Sequence, residues 1–184
     1  VGRIAFPVFA FLIAEGFIHT RSRYRYFFTL LGFAVISEIP WYLLNGADGT
    51  HNVMFTLALG VATLMVLENL LQRSMVLGFL WTLGMAGLAS WLGVDYEWRG
   101  ILVIVFFYLF NGFEHYLPYS RGMQFFCTFV LMIHYGGIGA IMACMILYVY
   151  NGTRGFVQGS IAQYGFYAFY PIHLIVLSNF MLLP

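Results

Sequence analysis

The chain has 184 residues, of which 62% are hydrophobic and only 8% are charged, whereas soluble domains carry about 25% charged residues. So few charged side chains cannot cover the surface of a soluble domain, and the high hydrophobicity excludes an intrinsically disordered chain. A formal net charge of +1 provides no basic surface for nucleic acid. The composition therefore predicts an integral membrane protein embedded in the lipid bilayer.

Seven apolar segments are candidates for membrane-spanning helices, which need about 20 mostly apolar residues. They cover residues 2–19, 26–44, 52–71, 75–92, 99–117, 123–150 and 164–183. The runs are long and continuous and lack the two-residue alternation of a barrel strand, which favours helices. The sequence therefore predicts an all-α polytopic transmembrane helical bundle of about seven spans, with residues 1–184 forming one transmembrane helical domain.

The sixth segment is long for a single span. It contains Gly136, Gly137 and Gly139 near its middle. Glycines weaken a helix and allow close packing of its neighbours, so we expect this helix to tilt, kink or break there.

The connectors predict the orientation of the bundle, because cytoplasmic loops are enriched in basic residues. One side receives five arginines and no acidic residue: Arg21, Arg23, Arg25, Arg73 and Arg121. The other side receives three arginines and three acidic residues: Arg3, Arg99, Arg154, Asp48, Asp95 and Glu97. We expect the five-arginine side in the cytoplasm, Val1 on the outer side and Pro184 on the inner side. Because the apolar stretch starts directly after Val1, we also expect further sequence before it.

Ionisable residues at membrane depth usually face the bundle interior and often mark function. Glu15 and His19 are four residues apart and share one helix face, where a carboxylate can orient an imidazole for acid–base chemistry. His173 follows Pro171 in an otherwise apolar run and is a second candidate base. The open alternatives are an interfacial polar cluster at the first pair and a hydrogen-bonded packing histidine at His173.

Other residues leave two interpretations each. The Arg21, Arg23 and Arg25 run either sets topology or docks the phosphates of a donor molecule. Three tyrosines at helical spacing indicate an aromatic belt or a substrate stack: Tyr164, Tyr167 and Tyr170. The five histidines are scattered, so the sequence predicts no metal site, and both cysteines are predicted to be small buried apolar residues.

Several blocks of the chain resemble the TraX family. The opening block is residues 2–11, followed by Glu15-Gly16 and His19-Thr20-Arg21. Later blocks follow in the same order at residues 37–40, 52–57, 150–155 and 169–174. The match spans most of the chain, and the combination of blocks is specific although each block alone is not.

TraX proteins are multi-pass proteins of the bacterial inner membrane. The founding member is linked to conjugation and to acetylation of the N-terminus of pilin, and the family resembles, more distantly, membrane acyltransferases that use acyl-CoA. The resemblance implies an inner-membrane acyltransferase with acetyl-CoA as co-substrate and pilin or another envelope acceptor as partner. It also implies an N-terminal helix with an Asp-His pair ahead of the opening block, a position that would precede Val1.

The candidate residues and the resemblance to the TraX family together suggest which residues bind the donor, act as the base and stabilise the oxyanion. We expect the CoA phosphates to dock at the cytoplasmic arginines, and His173 to act as the base, with Glu15 and His19 as the alternative. Arg3 and Arg154 are expected to stabilise the oxyanion or the acceptor, and the further substrate-binding candidates are Asn52 and Tyr170. The two candidate bases lie at opposite depths, so they cannot act on the same atom.

Two other function classes stay open. Buried Glu and His residues could relay protons in a small-molecule transporter with a broken sixth helix at its binding site. The chain could also be a non-catalytic component of a conjugation or secretion assembly.

Overall fold

The computed structural model describes residues 4–46, 48–113, 120–150 and 159–181. Seven helices occupy this part of the chain: α1 (Ala5–His19), α2 (Arg23–Asn45), α3 (Val53–Arg73), α4 (Met75–Trp91), α5 (Glu97–Phe113), α6 (Ser120–Tyr148) and α7 (Ser160–Met181). These residues contain no β-strand, only an isolated parallel bridge between His51 and Val94. The predicted all-α bundle is confirmed, and each helix lies close to its predicted segment.

The outer faces of the helices are apolar. α2, α3 and α6 are long and apolar enough to cross a membrane, and α1 and α4 are apolar but shorter. On α4 the exposed side chains include Met75, Val76 and Phe79. A surface of large apolar side chains is stable in lipid and unstable in water, so the chain is a membrane protein.

The core lies where α1, α3 and α5 meet. α3 packs against α1, α2, α4 and α5, and its side chains Val61 and Leu64 are fully buried. Gly60 faces Ile104 of α5 so closely that any added side chain would collide with it. The glycine therefore lets the two central helices approach each other, as small residues do in membrane helix pairs.

The bundle has two polar ends. At one end, which we call the arginine-rich end, Arg23 at the start of α2 pairs with Glu68 near the end of α3. At the other, which we call the Glu38 end, Glu38 near the end of α2 pairs with His51 just before α3. An apolar core separates the two ends.

The chain reverses direction inside α6. Gly136 has φ 141° and ψ 106°, which no helix contains. Beyond it the chain folds back, since the Tyr148 ring lies 6.2 Å from the Phe125 ring and Cys144 Sγ lies 3.7 Å from the Phe125 carbonyl oxygen. The predicted break is confirmed, and α6 consists of a first arm (residues 120–135) and a second arm (137–148), each shorter than the roughly 20 residues of a full span.

This reversal changes the direction of α7. Its side chains Tyr164 and Tyr167 meet α2 at Arg25 and Tyr26, at the arginine-rich end. One turn later, Tyr170 hydrogen-bonds the backbone of Val53 at the Glu38 end. α7 therefore runs parallel to α2, toward the Glu38 end.

The prediction that Pro184 lies on the five-arginine side requires α7 to run toward that side, and this direction is wrong; Pro184 itself lies outside the described residues. That prediction treats the sixth segment as one crossing, but its two short arms run in opposite directions, so α7 starts at the end of the bundle where α6 starts. The chain enters α7 at the arginine-rich end.

Candidate functional site

Glu38 and His51 form a carboxylate–imidazole pair at the Glu38 end. His51 Nδ1 lies 2.5 Å from Glu38 Oε1, and the side chains of His51 and Glu38 are 46% and 31% exposed. When Nδ1 carries the proton it donates to the carboxylate, and Nε2 keeps a lone pair that can accept another proton. A carboxylate that orients an imidazole in this way is the usual arrangement of a general base.

Asn52 holds the pair in place. Its side chain is fully buried. Its Nδ2 donates to Glu38 Oε2 at 2.6 Å and to the Ala34 carbonyl oxygen at 2.9 Å, and its Oδ1 accepts from the Met54 amide at 3.0 Å. The last bond caps the start of α3, a position for which asparagine is well suited. One residue thus ties the helix start, α2 and the glutamate together.

The loop between α2 and α3 presents His51. Trp41 Nε1 donates to the Thr50 carbonyl oxygen at 3.1 Å. The Thr50 amide and hydroxyl donate to Asp48 Oδ1 at 2.9 and 2.8 Å, and these bonds hold the pKa of the Asp48 carboxyl below its usual value. The polar groups of the turn therefore bind one another, and the His51 imidazole hydrogen-bonds Glu38.

The loop between α4 and α5 packs beside the histidine. The His51 amide donates to the Gly93 carbonyl oxygen, and the Asp95 amide donates to the His51 carbonyl oxygen, both at 2.9 Å. Tyr96 and Glu97 follow in the left-handed backbone region, with φ 64° and 46°. Two successive non-glycine residues in that region are strained, and such strain is concentrated at functional sites.

The strained turn carries an aromatic wall beside the loop that presents His51. The Tyr96 ring stacks on Phe6 at 3.8 Å and lies 4.8 Å from the Tyr135 ring. The Arg99 guanidinium lies 4.5 Å from the Trp98 ring and 5.8 Å from the Tyr135 ring. Tyr170 lies near Asp95 and Glu38. We call Glu38, His51, Asn52, Tyr170 and this wall the Glu38–His51 site.

The predicted substrate residues Asn52 and Tyr170 therefore lie at one site. Asn52 is fully buried and its amide binds Glu38, Ala34 and Met54, so the prediction that it binds substrate is wrong and it positions the glutamate instead. Sequence reasoning misses His51 as a base, because this histidine stands in a short polar connector rather than in an apolar run. A signal is present nevertheless: Glu38 and His51 flank the same tight connection between two helices. Arg3 and Arg154 lie outside the described residues.

The arginine-rich end uses one of its predicted docking residues internally. Arg23 Nη2 donates to Glu68 Oε1 at 2.7 Å, Nη1 donates to the other carboxylate oxygen, and the guanidinium lies 4.8 Å from the Phe17 ring. Arg25 donates to the Tyr164 hydroxyl at 3.4 Å, and Arg21 is exposed. Arg23 thus holds α2 against α3, while Arg21 and Arg25 stay at the surface.

Glu15 and His19 share a helix face as predicted. His19 Nδ1 lies 2.9 Å from the Glu15 carbonyl oxygen and 3.7 Å from its carboxylate, with the imidazole 73% exposed. The carboxylate is used elsewhere, because Asn111 Nδ2 donates to it at 2.6 Å and Gln124 Nε2 donates to Asn111 Oδ1 at 2.7 Å. This chain of hydrogen bonds joins α1, α5 and α6.

His173 lies on the exposed surface of α7, and its ring stacks on Phe169 at 5.7 Å. It follows Tyr170 by nearly one turn, which places it toward the Glu38 end, so the predicted separation from Glu15 and His19 is confirmed. The three tyrosines of α7 contact α2 at Arg25 and Tyr26 and the start of α3 at Val53, so they fasten α7 to these two helices.

No group of three or more potential metal ligands occurs among the residues that the structure describes. The polar groups of the Glu38–His51 site bind one another and the backbone. The arrangement can therefore move a proton at His51 Nε2.

The chain is similar to known proteins over nearly its whole length. A family model described as "TraX protein" matches residues 1–181. A "Probable fimbrial assembly protein FimC, serogroup H1" from Dichelobacter nodosus is 30% identical over 200 residues, which cover 97% of this chain and 80% of the relative. No solved structure matches the chain. The chain belongs to the TraX family.

Proposed function

We propose that the protein is a membrane-embedded acyltransferase that moves an acetyl group from acetyl-CoA to the N-terminus of a protein, or to another envelope acceptor, during pilus assembly. The observation that carries the proposal is the Glu38–His51 pair, 2.5 Å apart and held by the buried Asn52. Membership of the TraX family and similarity to a protein named for fimbrial assembly support the pilus context.

The reaction requires one base. The acceptor nitrogen attacks the thioester carbonyl carbon and passes its proton to His51 Nε2, while Glu38 stabilises the imidazolium. The carbon–sulfur bond then breaks, the CoA thiolate leaves, and the imidazolium returns the proton to it. General-base catalysis of this kind contributes about 10²–10⁴-fold to a rate.

The base in this proposal is His51 rather than His173. His51 has a carboxylate partner that fixes its tautomer, whereas the His173 ring stacks on Phe169. His173 stays a candidate that the experiment below tests directly, as do Glu15 and His19.

In this proposal the CoA phosphates dock at the arginine-rich end, and the pantetheine arm enters the bundle and carries the thioester to the Glu38 end. Arg21 and Arg25 present guanidinium groups at the surface, where they can pair with the CoA phosphates. Arg23 has a structural role, because loss of its guanidinium would leave the half-buried carboxylate of Glu68 unpaired. We place this end in the cytoplasm of a multi-pass inner-membrane protein, where acetyl-CoA is found.

The test is transfer of a radiolabelled acetyl group from acetyl-CoA to a pilin N-terminal peptide by the protein in liposomes. We expect His51→Ala to lower the turnover at least about 100-fold. We expect His173→Ala, and the double variant Glu15→Gln with His19→Ala, to lower it less than about threefold. A larger loss of turnover in either of these variants than in His51→Ala would show that those residues, not His51, supply the base. Equal turnover in the wild type and all variants would remove the histidines from the mechanism, and no transfer by a folded, full-length wild type would overturn the proposal.

A further inference from the structure

The two arms of α6 leave an apolar groove between them. It has a volume of about 560 Å³ and is lined on the first arm by Phe125, Phe126 and Phe129 and on the second by Ile141, Cys144 and Met145. The groove faces outward, since Phe126 is 68% and Met145 63% exposed. In a membrane this face meets lipid, and a groove lined by apolar side chains favours an acyl chain.

A cation stands at one end of the groove. Arg121, Phe125 and Phe129 are spaced by four residues and lie on one ridge of the first arm. Arg121 is exposed and lies in the first turn of α6, at the arginine-rich end. Phe125 lines both the groove and the small polar cleft that contains Arg121. The apolar groove and the guanidinium are therefore continuous.

The polar cleft also contains one acidic side chain. Glu15 accepts from Asn111 at 2.6 Å inside the bundle and is largely covered. Arg121, in contrast, is exposed, so a phosphate at the surface meets the guanidinium before the carboxylate. Guanidinium groups recognise phosphate oxygens with two parallel hydrogen bonds.

We propose that α6 holds an anionic phospholipid, with one acyl chain between its two arms and the phosphate at Arg121. The proposal does not depend on the acyltransferase chemistry, because it uses a different helix and a surface that faces the bilayer. The proposal explains the break at Gly136, because a continuous helix would have no groove between two arms.

The experiment uses the full chain in nanodiscs with two photoreactive phospholipids that share the same diazirine acyl chain. One has a phosphatidylglycerol headgroup and the other a phosphatidylcholine headgroup. Peptide mass spectrometry then locates the label. We expect residues 120–149 to be labelled about fivefold more by the anionic lipid, the ratio expected for one arginine near the surface, and unlabelled phosphatidylglycerol to compete better than phosphatidylcholine.

Two variants sharpen the result. Arg121→Gln is expected to equalise labelling by the two lipids, whereas Arg73→Gln, which removes an exposed arginine at the end of α3, is expected to leave the ratio unchanged. Equal labelling of the wild type by both lipids, absence of label from residues 120–149, or an unchanged ratio in a folded Arg121→Gln protein would overturn the proposal. If Arg121→Gln does not fold, the wild-type competition decides. A groove filled by a protein partner would exclude both lipids and therefore contradict it.

Discussion

Each end of the bundle pairs a glutamate with a basic side chain, yet the two pairs differ in what they can do. Glu68 binds the guanidinium of Arg23 through both oxygens, and the guanidinium lies over the Phe17 ring. Glu38 binds the imidazole of His51 through one oxygen and Asn52 through the other. A guanidinium keeps its proton at any physiological pH, whereas an imidazole exchanges it. Similar pairs therefore stabilise packing at one end and, in the proposed function, transfer a proton at the other.

The sharpest test of this difference replaces each glutamate in turn with glutamine and compares the two single variants. Glu38→Gln keeps the side-chain shape but removes the charge that stabilises the imidazolium, so we expect acetyl transfer to fall about 100-fold or more. Glu68→Gln is the matched control and should lower transfer less than about threefold in protein that stays folded. Equal losses in the two variants would show that the ends do not differ in function.

The direction of α7 depends on the reversal in α6. Gly136→Ala places a side chain on a backbone with φ 141°, which we expect to destabilise the protein by about 1–3 kcal/mol. Gly137→Ala is the control, because an added Cβ there meets Ile133 at an ordinary 3.7 Å. Denaturation of both variants in mixed micelles, followed by circular dichroism, measures the difference. A continuous sixth helix would give the two variants the same stability.

A double-mutant cycle measures the structural part of the Arg23–Glu68 pair. Because the two side chains are 40% and 26% exposed, we expect a coupling free energy of about 1 kcal/mol, between the values of surface and buried pairs. The variants are Arg23→Ala, Glu68→Ala and their combination, compared by the same denaturation. A coupling free energy near zero would show that the pair does not stabilise the fold, and would favour a role for Arg23 in docking the donor phosphates.

The last two variants concern the attachment of α7, and the smallest effect is expected at Tyr164. Tyr170→Phe loses a hydrogen bond to the Val53 backbone and should cost about 1 kcal/mol. Tyr164→Phe loses a 3.4 Å bond to an exposed arginine and should cost less than about 0.5 kcal/mol. The same denaturation curves compare them. A larger loss at Tyr164 would mean that the arginine-rich end, not the Glu38 end, fixes α7.

Much of the helical framework is predictable from the sequence, because hydropathy and glycine content act locally. The seven segments and the break near Gly136 follow from runs of apolar residues and from one cluster of glycines. The candidate site is predictable only in pieces. The sequence indicates Asn52 and Tyr170 as substrate-binding residues but not His51 as a base, because the partner of His51 lies 13 residues away across a turn whose geometry no local pattern specifies.

The sequence alone determined that apolar helices cross a bilayer and that the chain resembles the TraX family. Tertiary structure decided that α6 folds back and that α7 consequently runs parallel to α2. It also decided that Glu38 pairs with His51 and that Arg23 pairs with Glu68. The physical reason is the range of the forces involved. The preference of an apolar helix for lipid is a property of each segment, whereas direction and pairing depend on contacts between residues far apart in the chain, which exist only once the helices pack.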